Sequence, residues 1–216
     1  MSYSKLLIKN EFKIIYKLLI NIMVLLGIMG KKGSGKDTVS DYLVANYQFH
    51  KLAFADPIKQ VAQIMFDFNE QQLNGELKET IDTRWGISPR EVFQKLGTEF
   101  GQFDLPKYFP TLGEKVNRNF WVERLKIEYG KLPNNSNVIV SDVRFNHEIE
   151  EIKKMGGKII YIERNERIWE KQDGHLSEKE METINKNLFD IRVDNNDSKQ
   201  QLFDNINKLI PELIHR

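Results

Sequence analysis

The run "GKKGSGKDT", Gly30 to Thr38, packs three glycines, three lysines and two hydroxyl side chains into nine residues. That mixture suits a polyphosphate: glycines let backbone N–H groups crowd around phosphate oxygens, and a lysine ammonium group neutralises their charge. The loop pattern G-x-x-x-x-G-K-[ST] is met at Gly30, Gly35 and Lys36. Its last place, which usually offers a hydroxyl to Mg²⁺, holds Asp37, and the hydroxyl arrives one residue later at Thr38. Gly30, Lys31, Lys32, Gly33, Ser34, Gly35, Lys36, Asp37 and Thr38 are therefore the candidate nucleotide-binding set. Lys36 is the candidate catalytic residue, placed to reach β- and γ-phosphates, and Thr38 can hydrogen-bond the α-phosphate. Asp37 has two readings, as a Mg²⁺ ligand acting directly or through water, or as a carboxylate that only favours a helix N-terminus.

A second group closes an apolar run. In "VIVSDVRF", Asp142 stands where a strand ends, at the carboxyl edge on which open α/β folds bind ligands. It is read as a catalytic acid and second Mg²⁺ ligand that orients metal-bound water or a substrate hydroxyl. Arg144 is read as a phosphate clamp. The plainer alternative is an Asp–Arg pair that merely caps the strand. No rival metal site is expected, because cysteine is absent and the four histidines are scattered.

These side chains need a scaffold, and the hydrophobic pattern supplies one. "MVLLGIM", "NVIVSDV" and "GKIIYIE" are continuous apolar runs, the pattern of strands buried on both faces of a parallel sheet. "FDIRVDN" is a weaker strand and "HKLAFAD" a plausible remaining one. Between them, "DTVSDYLVANY" places Val39, Tyr42, Leu43 and Tyr47 on one helical face, and "NHEIEEIKKMGG" is a helix that its glycine pair stops. "DSKQQLFDNINKLI" closes the chain with Leu202, Ile206, Leu209 and Ile210 inward, and Pro211 is expected to interrupt it. Strands alternating with helices predict an α/β fold of three layers, a parallel sheet covered on both faces.

From Pro57 to Pro133 the strand-like runs disappear. "PIKQVAQIMFDF" and "NFWVERLKIEYG" read as helices. "SPREVFQKLGTEF" carries a helix start, with Ser88 as N-cap, Pro89 first in the helix and Glu91 three residues after the cap. A helical insertion over 57–136 is where a substrate-binding subdomain would sit.

Length and composition bound the rest. A chain of 216 residues supports one well-buried domain, read as 23–216. With 40% hydrophobic and 29% charged residues it is not a disordered chain. A formal charge of +1 gives no basic field, so nucleic acid is not an expected partner. The absence of cysteine fits a reducing, cytoplasmic setting. The apolar stretch from Leu18 to Met29 falls short of the roughly 18 residues that span a bilayer, so no membrane anchor or signal peptide is expected. Residues 1–22 read as a basic amphipathic extension of helical spacing.

Taken in order, "GIMGKKGSGKDT", "FADPIK", "SPREVFQKLGTEFG", "SDVRFNHEIEEIKKMGG" and "DGHLSE" resemble the deoxynucleoside monophosphate kinases of large DNA phages and viruses, from Met23 to the C-terminus. "SDVRFNHE" followed by the glycine pair is the most specific part. The resemblance implies the P-loop kinase fold: a five-stranded parallel sheet in the order 2-3-1-4-5, an acceptor-binding helical insertion, and a lid over 164–180. It implies ATP and Mg²⁺ as cofactors, small nucleotides as substrates, and is compatible with a viral or phage origin.

Site residues follow from the same resemblance. Asp56 in "FADPIK" would contact the acceptor nucleotide at the mouth of the site. Arg90 is the candidate ligand of its monophosphate and Gln94 of its base, with Glu99 on the same helix and Arg84 a second phosphate candidate. Arg164 and Arg167 are candidate lid arginines that close over the transferring phosphoryl group, Arg164 in a catalytic role and Arg167 in nucleotide binding. "VDNND" lies where relatives pass a loop beside the adenine, which makes Asn195 a nucleotide contact. Competing readings stay open: a wet helix face for Gln94 and Glu99, a solvated charge run for the lid arginines, a capping box for Ser177 and Glu180, a simple turn for Asn195.

The combined expectation is transfer of the γ-phosphoryl group of ATP to the 5′-phosphate of a (deoxy)nucleoside monophosphate, for DNA-precursor supply. Dephospho-coenzyme A kinase and phosphomevalonate kinase share the loop and lid logic and are the enzymatic rivals. A non-catalytic ATP-binding interaction module is the rival of another class. Base and sugar preference, and formation of a homodimer, are left open by the sequence.

Overall fold

The computed structural model of the protein describes residues 24–165, 180–181 and 183–214. The amphipathic segment 1–22, Arg167, and nearly all of the expected lid lie outside the described residues.

Five strands form the sheet: β1 (Leu25–Met29), β2 (His50–Leu52), β3 (Val138–Val143), β4 (Lys158–Glu163) and β5 (Ile191–Asp194). They pair in the order β2-β3-β1-β4-β5, and every pair is parallel. This is the 2-3-1-4-5 order expected. Helices along the chain are α1 (Lys36–Tyr47), α2 (Ala55–Phe66), α3 (Glu70–Leu73), α4 (Pro89–Gln94), α5 (Leu105–Tyr108), α6 (Pro110–Val116), α7 (Phe120–Gly130), α8 (Asn146–Lys154) and α9 (Lys199–Ile214). Because all strands run one way, their carboxyl ends share one edge, and whatever follows each strand is delivered there.

The central strand is buried at every position, which explains its unbroken apolar sequence. Its side chains alternate between two cores. Leu26 and Ile28 pack with Val39 and Leu43 of α1 and with Leu202, Ile206 and Leu213 of α9. Leu25 and Met29 pack with Val122 and Leu125 of α7 and Ile149 and Ile152 of α8. The sheet is thus the middle of three layers.

One irregularity lies beside the candidate Asp142. Gly27 pairs with Val140 and Met29 with Val143, so two steps of β1 face three steps of β3. The extra residue falls at Ser141–Asp142, and a bulge of this kind redirects the side chain it carries. Helix α9 departs from expectation in another way. It runs through Pro211 to Ile214, because the buried Leu213 packs beside Ile210 and holds the last turn on the core.

The insertion between β2 and β3 carries α2 to α7. Ser88 caps α4 as expected, its hydroxyl accepting the Glu91 N–H at 3.2 Å, with Pro89 first in the helix. Past Gln94 the helix continues as ten residues of wide, π-helical turns (Lys95–Asp104). Two ties hold this stretch to α7: the Trp121 indole N–H donates to the Gly97 carbonyl at 2.7 Å, and the ring lies against Gly101.

Candidate active site

The phosphate loop leaves β1 at its carboxyl end and turns directly into α1, so backbone N–H groups and the positive helix end meet at one point. Gly35 takes φ +97°, a left-handed conformation in which an L side chain is strained. A Cβ there would also lie 2.4 Å from Asn195 Nδ2. Asn195 is buried, donates to the Ser34 carbonyl at 2.8 Å, and receives its own support from β4, where Glu163 O accepts its N–H. The structure therefore places Asn195 behind the loop, fixing its curvature. Arg164, one residue past β4, donates to the Gly33 carbonyl at 3.3 Å and so stands on the same loop.

Within the loop, the buried Ser34 Oγ has no hydrogen-bond partner, which is the signature of a cradle awaiting polar atoms. Lys36 is largely buried, with Nζ 3.8 Å from the mostly exposed Asp37 carboxylate, and Thr38 follows in the first turn of α1. A cavity of about 380 Å³ opens beside the loop, walled by Lys31, Ser34, Glu163, Arg164, Asn165 and Met181 among others. That is the size of a small-molecule site.

Facing the loop is the insertion. Lys32 Nζ and Arg90 Nε both reach the Glu79 carboxylate, at 3.3 Å and 3.0 Å. Burial, followed by the neighbouring Lys59 and Arg90 charges, pulls Lys78 below its ordinary pKa, so positive charge is crowded on this side. Gln94 lies half-buried at the end of α4, one turn from Arg90.

At the end of β3, Asp142 accepts the N–H groups of Phe54 and Ala55 at 2.8 Å and 2.9 Å, one on each oxygen. It ties the β3 edge to the start of α2. Burial pushes its carboxyl upward, opposed by those two N–H groups and by Arg144. Glu148 in α8 also accepts two backbone N–H groups, both on Oε2, from Arg144 at 2.7 Å and Phe145 at 3.1 Å, and burial pushes it up to about 8. Asp56 is exposed, accepts the Ala53 N–H at 3.1 Å, and lines a cavity of about 30 Å³ with Trp121 and Arg124, room for one water-sized group.

Arg84, the second phosphate candidate, has its partners within the insertion. Its guanidinium is engaged by Asp82 and Asp67 inside the insertion, where it also holds Asp82 far below the usual carboxylate range. Conversely, the structure adds residues that the sequence did not single out. Glu79 sits in a charged stretch that reads as surface. Arg118, in the turn before α7, joins Gln102 and Glu180 at 3.0 Å each and stacks 4.7 Å over Phe103. No spacing or motif marks either one.

The deoxynucleotide monophosphate kinase family profile matches residues 24–87 and 79–206. A candidate deoxynucleotide monophosphate kinase of Acanthamoeba polyphaga mimivirus is 35% identical over 190 residues, covering 85% of this chain and 94% of its own. The chain belongs to the deoxynucleotide monophosphate kinase family. As a member it is a kinase that acts on small nucleotides, the activity expected from the motifs.

Among solved structures, the family member is similar to shikimate kinase from Bacteroides thetaiotaomicron, with 12% identity, TM-score 0.47, and coverage of 89% of this chain and 99% of that one. It is similar too to dephospho-CoA kinase from Campylobacter jejuni, with 14% identity, TM-score 0.44, and coverage of 88% and 97%. Among the described residues, no helix is long and apolar enough to cross a membrane.

Proposed function

We propose that the protein moves the γ-phosphoryl group of ATP to the 5′-phosphate of a deoxynucleoside monophosphate, yielding ADP and the deoxynucleoside diphosphate. The observation that carries this reading is the span between two cations: Lys32 of the loop and Arg90 of α4 meet on one Glu79 oxygen. A loop suited to a triphosphate and an arginine suited to a second phosphate are thus one side chain apart. Family membership supplies the substrate class.

In this reading an acceptor-phosphate oxygen forms the new bond to the γ-phosphorus while the bond to the β–γ bridging oxygen breaks, and ADP leaves with that electron pair. The acceptor oxygen is already nucleophilic, so no general base is needed. The protein contributes alignment and charge neutralisation. Loop amides and Lys36 hold the triphosphate, Arg90 holds the acceptor phosphate, and Arg164 lies on the loop to meet the transferring group, with Arg167 as a second lid arginine. Gln94, one turn from Arg90, is assigned to the acceptor base, and Arg144 to phosphate charge.

The residues fit Mg²⁺ as kinases use it, through one or two carboxylates with phosphates and water. The exposed Asp37 beside Lys36, with Thr38 next to it, is the better ligand. Asp142 has each oxygen already engaged by an N–H group, and its first task is to position β3 against α2. When bound, the ion neutralises charge on the β- and γ-phosphates.

A coupled ADP-release assay over the four deoxynucleoside monophosphates, dephospho-coenzyme A and phosphomevalonate tests the reading. ADP formation with at least one nucleotide and neither rival is expected. Turnover with a rival alone, or tight ATP binding with no transfer to any acceptor, would sink it.

A further inference from the structure

The contact that carries the proposed function has a feature of its own: both cations use the same Glu79 oxygen, Oε1. Glu79 ends a short 3₁₀ turn (Glu76–Glu79) between the loop and α4. Its side chain is 51% exposed, Lys32 is 64% exposed and Arg90 25%. The adjacent Lys78 feels the charges of Lys59 and Arg90 on one side and of Asp37 and Glu79 on the other. Partial burial raises the Glu79 carboxyl, but hydrogen bonds from Arg90 and Lys32 outweigh that and hold it below its ordinary value, so it is an anion at neutral pH.

We propose that Glu79 is a built-in stand-in for phosphate, which occupies the donor-side and acceptor-side cations together and makes binding of the two nucleotides cooperative. The inference rests on Arg90 taking the acceptor phosphate. A phosphate arriving at either cation is a charge-assisted partner and repels the carboxylate it replaces. Because one oxygen serves both cations, its departure from Arg90 also releases Lys32, and the reverse holds equally. The second nucleotide then meets a cation already cleared, which is positive coupling by reciprocal linkage. The half-exposed bridge is weak enough to yield: exposed ion pairs change affinities by about two- to fivefold. Empty, the carboxylate balances a concentration of positive charge that would otherwise attract any small anion.

The test measures the affinity of a monophosphate accepted in the panel assay, with and without saturating β,γ-imido-ATP, by titration calorimetry. In the unmodified protein the analogue should tighten monophosphate binding by about threefold. Glu79→Gln keeps the shape and removes the charge. Each nucleotide alone should then bind about threefold tighter, and the ratio should fall toward one. Lys32→Gln breaks the bridge from the other side: it should lower the ratio likewise, while weakening the analogue alone. If Glu79→Gln weakens either ligand, or keeps the original ratio, the inference is overturned. If Arg90→Ala leaves monophosphate affinity untouched, the acceptor assignment itself falls. Should Arg90→Ala weaken binding while the Glu79→Gln ratio stays intact, only the coupling idea is lost.

Discussion

Around β1, the side chains of Leu26, Ile28, Met29, Ile139, Ile159 and Ile160 are fully buried, each stabilising the fold by about 1.5–3 kcal/mol. Between β2 and β3, apart from Phe54 and the α7 residues Val122 and Leu125 that join the main core, the buried apolar cluster is a small one of Ala62, Phe68, Leu73 and Val92, and polar ties are prominent. Arg84 and Gln72 grip Asp82, the Trp85 indole donates to the Phe66 carbonyl, and Glu79 spans Lys32 and Arg90. The same region leaves Ile64 85% and Tyr108 72% exposed. A segment held by surface ion pairs opens at lower cost than one held by buried hydrocarbon. On the proposed function, the loop that holds the triphosphate thus sits against the better-buried half, and the proposed acceptor side on the half that opens at lower cost.

The largest way to probe that contrast is through chemistry. Lys36→Ala should lower kcat by about a thousandfold or more while leaving the urea midpoint where it was. A folded variant with near-normal turnover would move the reaction off the loop.

A pH profile addresses the β3 edge. The folded protein holds the Glu148 proton more tightly than the unfolded chain does, at about 8 against 4.5. The stability this supplies is complete below about pH 4.5 and is lost as pH rises through about 8. In Glu148→Gln that loss should vanish, so the variant gains on the unmodified protein across this window in urea unfolding. A constant difference from pH 4.5 to 8 would show that Glu148 does not titrate late.

The mildest comparison sets one glycine in each half. Gly35 (φ +97°) has Asn195 where a Cβ would go, whereas Gly86 (φ +70°), in the insertion, has nothing within 4 Å. Gly86→Ala carries backbone strain alone, about 1 kcal/mol, and Gly35→Ala should cost about 2–3 kcal/mol in thermal or urea melts. Equal effects would mean that the loop is no more tightly packed than the insertion.

The sheet was legible because its signals are local and redundant. A strand buried on both faces needs a continuous apolar run, and β1 (Leu25–Met29), the first half of β3 (Val138–Val140) and the middle of β4 (Ile159–Ile162) each supply one. The loop and the Ser88–Pro89–Glu91 start were equally local. What escaped was spatial. Lys32 and Glu79 are 47 residues apart, and Arg118 and Glu180 62 apart, so no window holds both partners. Asn195 was expected beside the adenine or in a simple turn, and its hold on the Ser34 carbonyl was not legible because the two lie far apart in the chain. The wide turns of Lys95–Asp104 carry the same apolar spacing as an ordinary helix and gave no warning. Pro211 misled for the opposite reason, since a local rule was overridden by the burial of Leu213.

The seating of Trp121 on the Gly97 carbonyl and the Gly101 backbone puts one of only three indoles in the chain where the wide-turned segment meets α7. Any swing of the wide-turned segment would strip that ring of its carbonyl partner and change its emission. Trp121 emission would therefore report any movement of that segment with no dye attached.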